Sequence, residues 1–362
     1  MSEKKPSTLK EIAEKLGVSR TLVSVCLSGK YNQGNNRICE ETAERIRRYA
    51  ASIGFVPNSS ARRLRQQSDP PVGLLLGQDH SESKSMPAIN YALDLLADAG
   101  RETMVAGFRG VTKAVAQMKG AGVRDLIIFG SMYEGGHEES TMEQNRRLKV
   151  LLDGMRCFCV DYNFGMPEER FELDIFRFGI DRIKFLEALL TAYRRAGIDG
   201  FMSVEWHPTD LLLQKGYFAA AEQIFRYIGR LHGGAASAIQ LGKNMAEEFI
   251  RIRDRYHIKL IFAGDDFAGG LMRKLLPLGW KVPEDVNIIG FDNLEISECY
   301  PVPLTSFGIP LKHHMDLAIN HILGKNEAPR FLISPPTVSW RESSSLPASE
   351  RLWLEKELDM KV

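Results

Sequence analysis

The chain has 362 residues, of which 44% are hydrophobic and 26% charged, with a formal net charge of +1. That length exceeds one average domain, and the composition excludes a disordered or fibrous chain. The small total charge conceals an asymmetry. Residues 1–67 hold 13 Lys/Arg against 6 Asp/Glu, a balance of +7, and the remainder carries −6. A basic head on an acidic body suits a nucleic-acid reader joined to something else. No apolar run approaches the ~20 residues needed to span a membrane. The opening MSEKKPSTLKE also lacks the apolar core of a secretory signal, so the cytoplasm is the expected compartment. The cysteines (26, 39, 157, 159 and 299) are scattered and odd in number. Cys157 and Cys159 share one strand face, but C-x-C without a nearby His is poor zinc spacing, so they read as reduced core thiols. No metal or cofactor is expected.

In chain order, Thr8 to Leu27 comes first: TLKEIAEKLGVSRTLVSVCL. Thr8 with Glu11 has the spacing of a capping box, in which hydroxyl and carboxylate each satisfy a backbone N–H at a helix start. Leu9, Ile12, Ala13 and Leu16 form one apolar stripe. Gly17 supplies the positive φ of a sharp helix stop. Ser19 is a good N-cap for a second helix, whose Leu22, Val23, Cys26 and Leu27 face the first. Arg20, Thr21 and Ser24 are left on the outer face. This is the pattern of a helix-turn-helix, whose second helix enters the DNA major groove. A polar loop, SGKYNQGNNRIC, leads to a third helix from about Glu40 to Ser52, with a stripe of Ala43, Ile46, Tyr49, Ala50 and Ile53. Glu41 with Arg45 and Glu44 with Arg48 are favourable i,i+4 pairs.

The stretch from Pro57 to Pro71, PNSSARRLRQQSDPP, is polar and basic with one large apolar residue, Leu64. As a short helix it would carry an apolar wedge into a minor-groove base step, with Arg62, Arg63 and Arg65 neutralising phosphate.

From Val72 the texture changes. VGLLLG (72–77), TMVAG (103–107), DLIIFG (125–130), CFCVDY (157–162), GFMSVE (200–205), KLIFAG (259–264) and VNIIGF (286–291) are short apolar runs, most of them separated by helical patterns. Parallel sheets covered on both faces produce such runs, so this part is α/β, and its length fits two sheets better than one. Ligands in such sheets bind beyond the carboxyl ends of the strands. Those ends carry Gly77-Gln78-Asp79, Asp161-Tyr162-Asn163, Gly264-Asp265-Asp266 and Asp292-Asn293, groups suited to a polyhydroxylated ligand.

Head, linker and body together resemble the LacI/GalR family of bacterial transcription regulators. TLKEIAEKLGVSRTLVSVCLSG is similar to the family's headpiece, and GFVPNSSARRL to its hinge helix. LIFAGDDFAGGLMRKLLPLGWKVPEDVNIIGFDN with PVPLTSFGIP is similar to its late core, and PPTVSWRESS to its last strand. The resemblance implies a helix-turn-helix headpiece (1–56), a hinge helix and linker (57–71), and a periplasmic-binding-protein-like core (72–343) of two doubly wound parallel-sheet subdomains. Crossovers fall near 162, 309 and 339, and a C-terminal tail covers 344–362. It implies a homodimer on a near-palindromic operator. Thr8, Ser19, Arg20, Thr21, Ser24, Val25, Asn58 and Leu64 are its expected DNA-binding residues. Asp292, Asp265 and Asp161 are its expected contacts to a small-molecule effector, of which a sugar is the first candidate.

The sequence also departs from the family. The loop after helix two is about five residues longer than usual, Cys39 stands where Ser is common, and Val25 replaces a polar or basic reader. Gly264-Asp265 stands for a frequent Asn-Asp pair, and Leu213 stands where many relatives place an effector-binding Arg. Tuning by a protein partner or an atypical ligand is therefore an alternative. An enzyme with an accessory head is a remote one, since no GxGxxG after a strand, GxxxxGK[ST], G-x-S-x-G or HExxH is present. His313-His314 is expected to be exposed on a helix.

Overall fold

The computed structural model describes residues 9–27, 38–53, 69–76, 82–107, 110–130, 146–164, 173–198, 200–204 and 238–360. Thr8, Asn58, Leu64, Leu213, the loop 28–37 and the strand end Gly77-Gln78-Asp79 lie outside the described residues. The chain divides into two compact units, Met1–Asp69 and Pro70–Val362.

In the first unit, α1 (Leu9–Leu16), α2 (Arg20–Leu27) and α3 (Glu40–Ser52) enclose Ile12, Ala13, Val23, Cys26, Ala43 and Ile46. These are members of the apolar stripes read from the sequence. Gly17 has φ +66°, and Val18 N donates to Ala13 O at 3.0 Å. That six-to-one bond, with the positive φ, is a Schellman stop, and it turns the chain sharply into α2. Ser19 caps α2 as expected, its Oγ accepting from Leu22 N at 3.1 Å. The Glu44–Arg48 pair forms at 2.9 Å. Arg45 instead reaches across to donate to Leu16 O at 3.4 Å, closing the C-terminal end of α1.

The second unit holds two sheets. In the first, β1 (Val72–Leu76), β2 (Thr103–Gly107), β3 (Asp125–Phe129), β4 (Arg156–Phe164), β5 (Phe176–Asp181) and β10 (Phe331–Ile333) lie in the order β10-β5-β4-β3-β1-β2. All are parallel. Successive side chains of β1 divide between the two faces. Val72, Leu74 and Leu76 pack toward α4 (Glu82–Asp98) and α9 (Leu311–Ile322). Leu75 packs with α5 (Val111–Gly120). Burial on both faces explains why the strand reads as an unbroken apolar run.

The second sheet is built from β6 (Gly200–Val204), β7 (Ile258–Gly264), β8 (Asn287–Phe291), β9 (Thr305–Gly308) and β11 (Thr337–Ser339), in the order β11-β9-β8-β7-β6. It is covered by α7 (Ala238–Tyr256) and α8 (Asp265–Leu275) on one face. On the other lie α6 (Arg182–Arg195) and α10 (Ala348–Glu357). Here β11 runs antiparallel to β9, so this lobe is mixed rather than wholly parallel.

The crossovers also need adjustment. The first does not fall at 162, because β5 is still hydrogen-bonded to β4 in the first sheet and the chain leaves only at Asp181–Arg182. The second falls at 309–310, as expected, between β9 and α9. The third spans 334–336, ahead of 339, because β10 and β11 belong to different sheets.

Over 344–360 the expected tail is folded structure. In α10 and just beyond it, Leu354, Leu358 and Met360 are buried in the second lobe, and Trp340 Nε1 donates to Glu355 Oε1 at 2.6 Å. No helix among the described residues is long and apolar enough to cross a membrane. Leu354→Ala should lower the unfolding free energy of the core by about 2–5 kcal/mol, the range for emptying a fully packed leucine site. Urea melting checks this, and an unchanged midpoint would return these residues to the status of a tail.

Candidate functional site

In the head, the outward face of α2 presents Arg20 and Thr21, which are exposed, with Ser24 and Val25 half-buried beside them. Ser19 is exposed at the cap. Packing of Val23 and Cys26 against α1 and α3 fixes which side of α2 remains available. No titratable side chain of α2 other than Arg20 interrupts that face. A short helix with a basic residue and hydroxyls at its N-terminal end is geometrically suited to read base edges in a major groove.

In the core, a second cluster forms where the two lobes meet. Asp161, near the end of β4, and Asp292, just after β8, come from different sheets. Both carboxylates converge on Lys84 of α4, whose Nζ lies 2.7 Å from Asp161 Oδ2 and 3.7 Å from Asp292 Oδ1. The neighbouring Ser83 donates to Asp266 Oδ2 at 2.8 Å, a second contact between the lobes. Three of the four acidic strand ends read from the sequence are described, and these three gather here.

Backbone geometry aims Asp292 at this point. Asp292 and Asn293 have φ of 148° and 51°, values that L-residues adopt rarely and that Asp and Asn tolerate best. Neighbouring groups hold the turn: Asp292 N donates to Phe307 O at 2.7 Å and Asn293 N to Ser306 Oγ at 3.0 Å. Asp265 lies beneath it with no solvent exposure. It accepts hydrogen bonds from Leu294 N and Ser297 Oγ, both at 2.8 Å, and from Ser306 Oγ at 2.6 Å. Burial raises the Asp265 pKa, and its hydroxyl and backbone donors oppose that rise. Of the three carboxylates expected at an effector, the structure brings Asp161 and Asp292 together and engages Asp265 within the second lobe.

Lys84, Ser83, Ser297 and Ser306 were not anticipated. Ser306 follows Thr305 in an otherwise apolar β9, a visible polar intrusion, whereas Lys84 lies in a polar run (SESKS) that offers no local signal. His314 corrects another expectation. His313 is exposed, but His314 is buried, with Nδ1 2.8 Å from Val160 O and Nε2 2.8 Å from Ser334 Oγ. A carbonyl can only accept, so Nδ1 carries the proton and Nε2 accepts from the serine. Burial lowers its pKa to about 4, leaving it neutral. Cys157 and Cys159 are buried free thiols, as expected, pushed up to about 12 by burial.

The comparisons with known proteins follow this division. A periplasmic binding protein-like domain matches residues 193–344. The regulator AscG of Escherichia coli, an HTH-type transcriptional regulator, is 26% identical over 91% of this chain and 94% of its own. The lac repressor dimer bound to operator and the anti-inducer ONPF has the same fold, with a TM-score of 0.64 at 18% identity over 94% of this chain and 99% of that one. The transcriptional regulator CelR in complex with cellobiose gives 0.56 at 20% identity over 94% and 100%. Fold and cluster together define a helix-turn-helix head on a two-lobed periplasmic-binding-protein-like core. Over nearly its whole length the chain is similar to HTH-type transcription regulators, and it shares the fold of the lac repressor.

Asp292 makes the core sensitive to pH. Burial raises its pKa to about 7, with Asp265 and Asp161 adding to the rise and Lys84 opposing it. Between the ordinary carboxylate range and pH 7 the folded chain holds a proton that the unfolded chain has lost. Stability therefore falls as pH rises through that window. Asp292→Asn should flatten this slope in thermal melts between pH 5 and 8, and a wild-type melting temperature already constant over that span would contradict the assignment.

Proposed function

We propose that this chain is a sequence-specific DNA-binding transcription regulator, acting as a repressor, whose operator affinity is set by a small molecule bound between the core lobes. The observation that carries the reading is the exposed N-terminal face of α2, with Ser19, Arg20 and Thr21 on a basic head. Arg20 and Thr21 read base edges, Ser24 and Val25 extend the contact, and Thr8 and Asn58 bind the backbone. Val25 contributes apolar contact, which suits a thymine methyl. Two copies of the chain place two heads on a near-palindromic operator, and Leu64 enters a minor-groove step between them.

In the core, the effector is a polyhydroxylated molecule such as a sugar, held through Asp161 and Asp292, with Asp265 fixing the loop that presents Asp292. Cellobiose in CelR supports this class of ligand. Closure of the lobes shifts the dimer contact beside the hinge and so alters the population of ordered hinge helices. A ligand can change DNA affinity only through its differential binding to the two forms.

Selection of bound DNA from random duplexes, with and without candidate sugars, tests the reading; enrichment of no sequence would refute it. If a dimer neutralises about eight phosphates, log K should fall against log salt with a slope near −7. A flat dependence in a filter-binding titration would remove the headpiece from the interface. Leu64→Ala should weaken binding to the selected site while sparing random duplex, and equal losses on both would exclude a wedge.

A further inference from the structure

Lys84 belongs to α4 of the first lobe, yet its ammonium reaches Asp292 of the second, 3.7 Å away, while lying 2.7 Å from Asp161. The lysine, Asp161 and Asp292 side chains are 11%, 9% and 16% exposed. Water and salt screen such a bridge less than one on the surface. Ser83 crosses the same gap to Asp266. The two lobes are therefore tied by groups of this chain alone. Once Asp292 is ionised, Asp161 and Asp292 without the ammonium would face each other as like charges, which opposes closure. A ligand that spans the lobes through this pair must take both carboxylates from Lys84.

We infer that Lys84 is a built-in occupant of the cleft, a tethered ammonium that holds the lobes together by itself and competes with any effector for Asp161 and Asp292. The inference rests on the reading of this cleft as the effector site, and it narrows the ligand class. The effector is rich in hydrogen-bond donors and uncharged or cationic, a polyol or an amino sugar. Among the described residues an anion would meet Asp161, Asp266 and Asp292, and the cations beside them, Lys84 and Arg182, already act on Asp292.

The test uses the full chain as wild type, Lys84→Met and Lys84→Arg, each checked for folding by circular dichroism. Small-angle scattering without ligand should give a larger radius of gyration for Lys84→Met than for the wild type, and Lys84→Arg should stay near the wild type. Operator affinity of Lys84→Met should shift by about 5–150-fold, the usual span of such coupling. Methylammonium chloride should move Lys84→Met back toward wild-type scattering, where sodium chloride at equal ionic strength does not. If Lys84→Met fails to fold, Asp292→Asn weakens the far half of the bridge and should give an expansion in the same direction, smaller because no like charge then faces Asp161. Wild-type scattering for Lys84→Met (or for Asp292→Asn in its place), or a Lys84→Met expansion indifferent to methylammonium, would overturn the inference. Wild-type protein that selects no duplex would sink the regulator reading instead, while the scattering comparison would still decide the role of Lys84.

Discussion

The edge of the second lobe depends on a single buried carboxylate. Asp265 has no exposure, and an ionised group in such a place is costly unless its oxygens are satisfied. Leu294 N, Ser297 Oγ and Ser306 Oγ supply that satisfaction. In doing so they fix the turn after β8 to the start of α8 and to β9. The rare backbone conformation at Asp292 and Asn293, which costs on the order of 1–3 kcal/mol per residue, persists because these bonds over-determine it. Gly290 is part of the same arrangement: a Cβ there would come within 2.1 Å of Asp265 Oδ1. The direction in which Asp292 points is thus a product of packing several residues away.

Much of this architecture is legible in the sequence because the physics that writes it is local. Burial of β1 and β3 on both faces makes each an unbroken apolar run, and the head advertises itself through capping and turn residues that act within one helical turn. The features that escaped are long-range. β5, β9, β10 and β11 are short or carry polar residues, and their place in a sheet is decided by partners far along the chain. The first crossover lies beyond the expected 162 for that reason: nothing near Tyr162 says that Phe176–Asp181 will return to the same sheet. The expected tail is similar, since α10 has few buried positions of its own and is stabilised by α6 and Trp340.

At the cleft, the acidic strand ends were visible, but their counter-ion was not. Acidic and amide residues after strands follow a rule of open α/β sheets, whereas the approach of Lys84 is set by the packing of α4 on the first sheet. The sequence therefore pointed to a polar cleft and left its charge balance open. Asp265 illustrates the same limit: residue type and spacing placed it at a strand end, but not which way its oxygens would turn. The sites named in the hinge stretch rest on resemblance and on the wedge logic of Leu64.

His314 stands on α9 just after the second crossover and bonds Ser334 in the third, and Ser334 N donates to Gly179 O just before the first. A flexing joint filled with a histidine is a common way to make a protein respond to acid. Here the imidazole has both nitrogens engaged and titrates near 4, below the range in which cells operate. The segments that join the lobes are thereby insulated from everyday changes in acidity. Any such response is left to the carboxylates at the mouth, Asp292 above all.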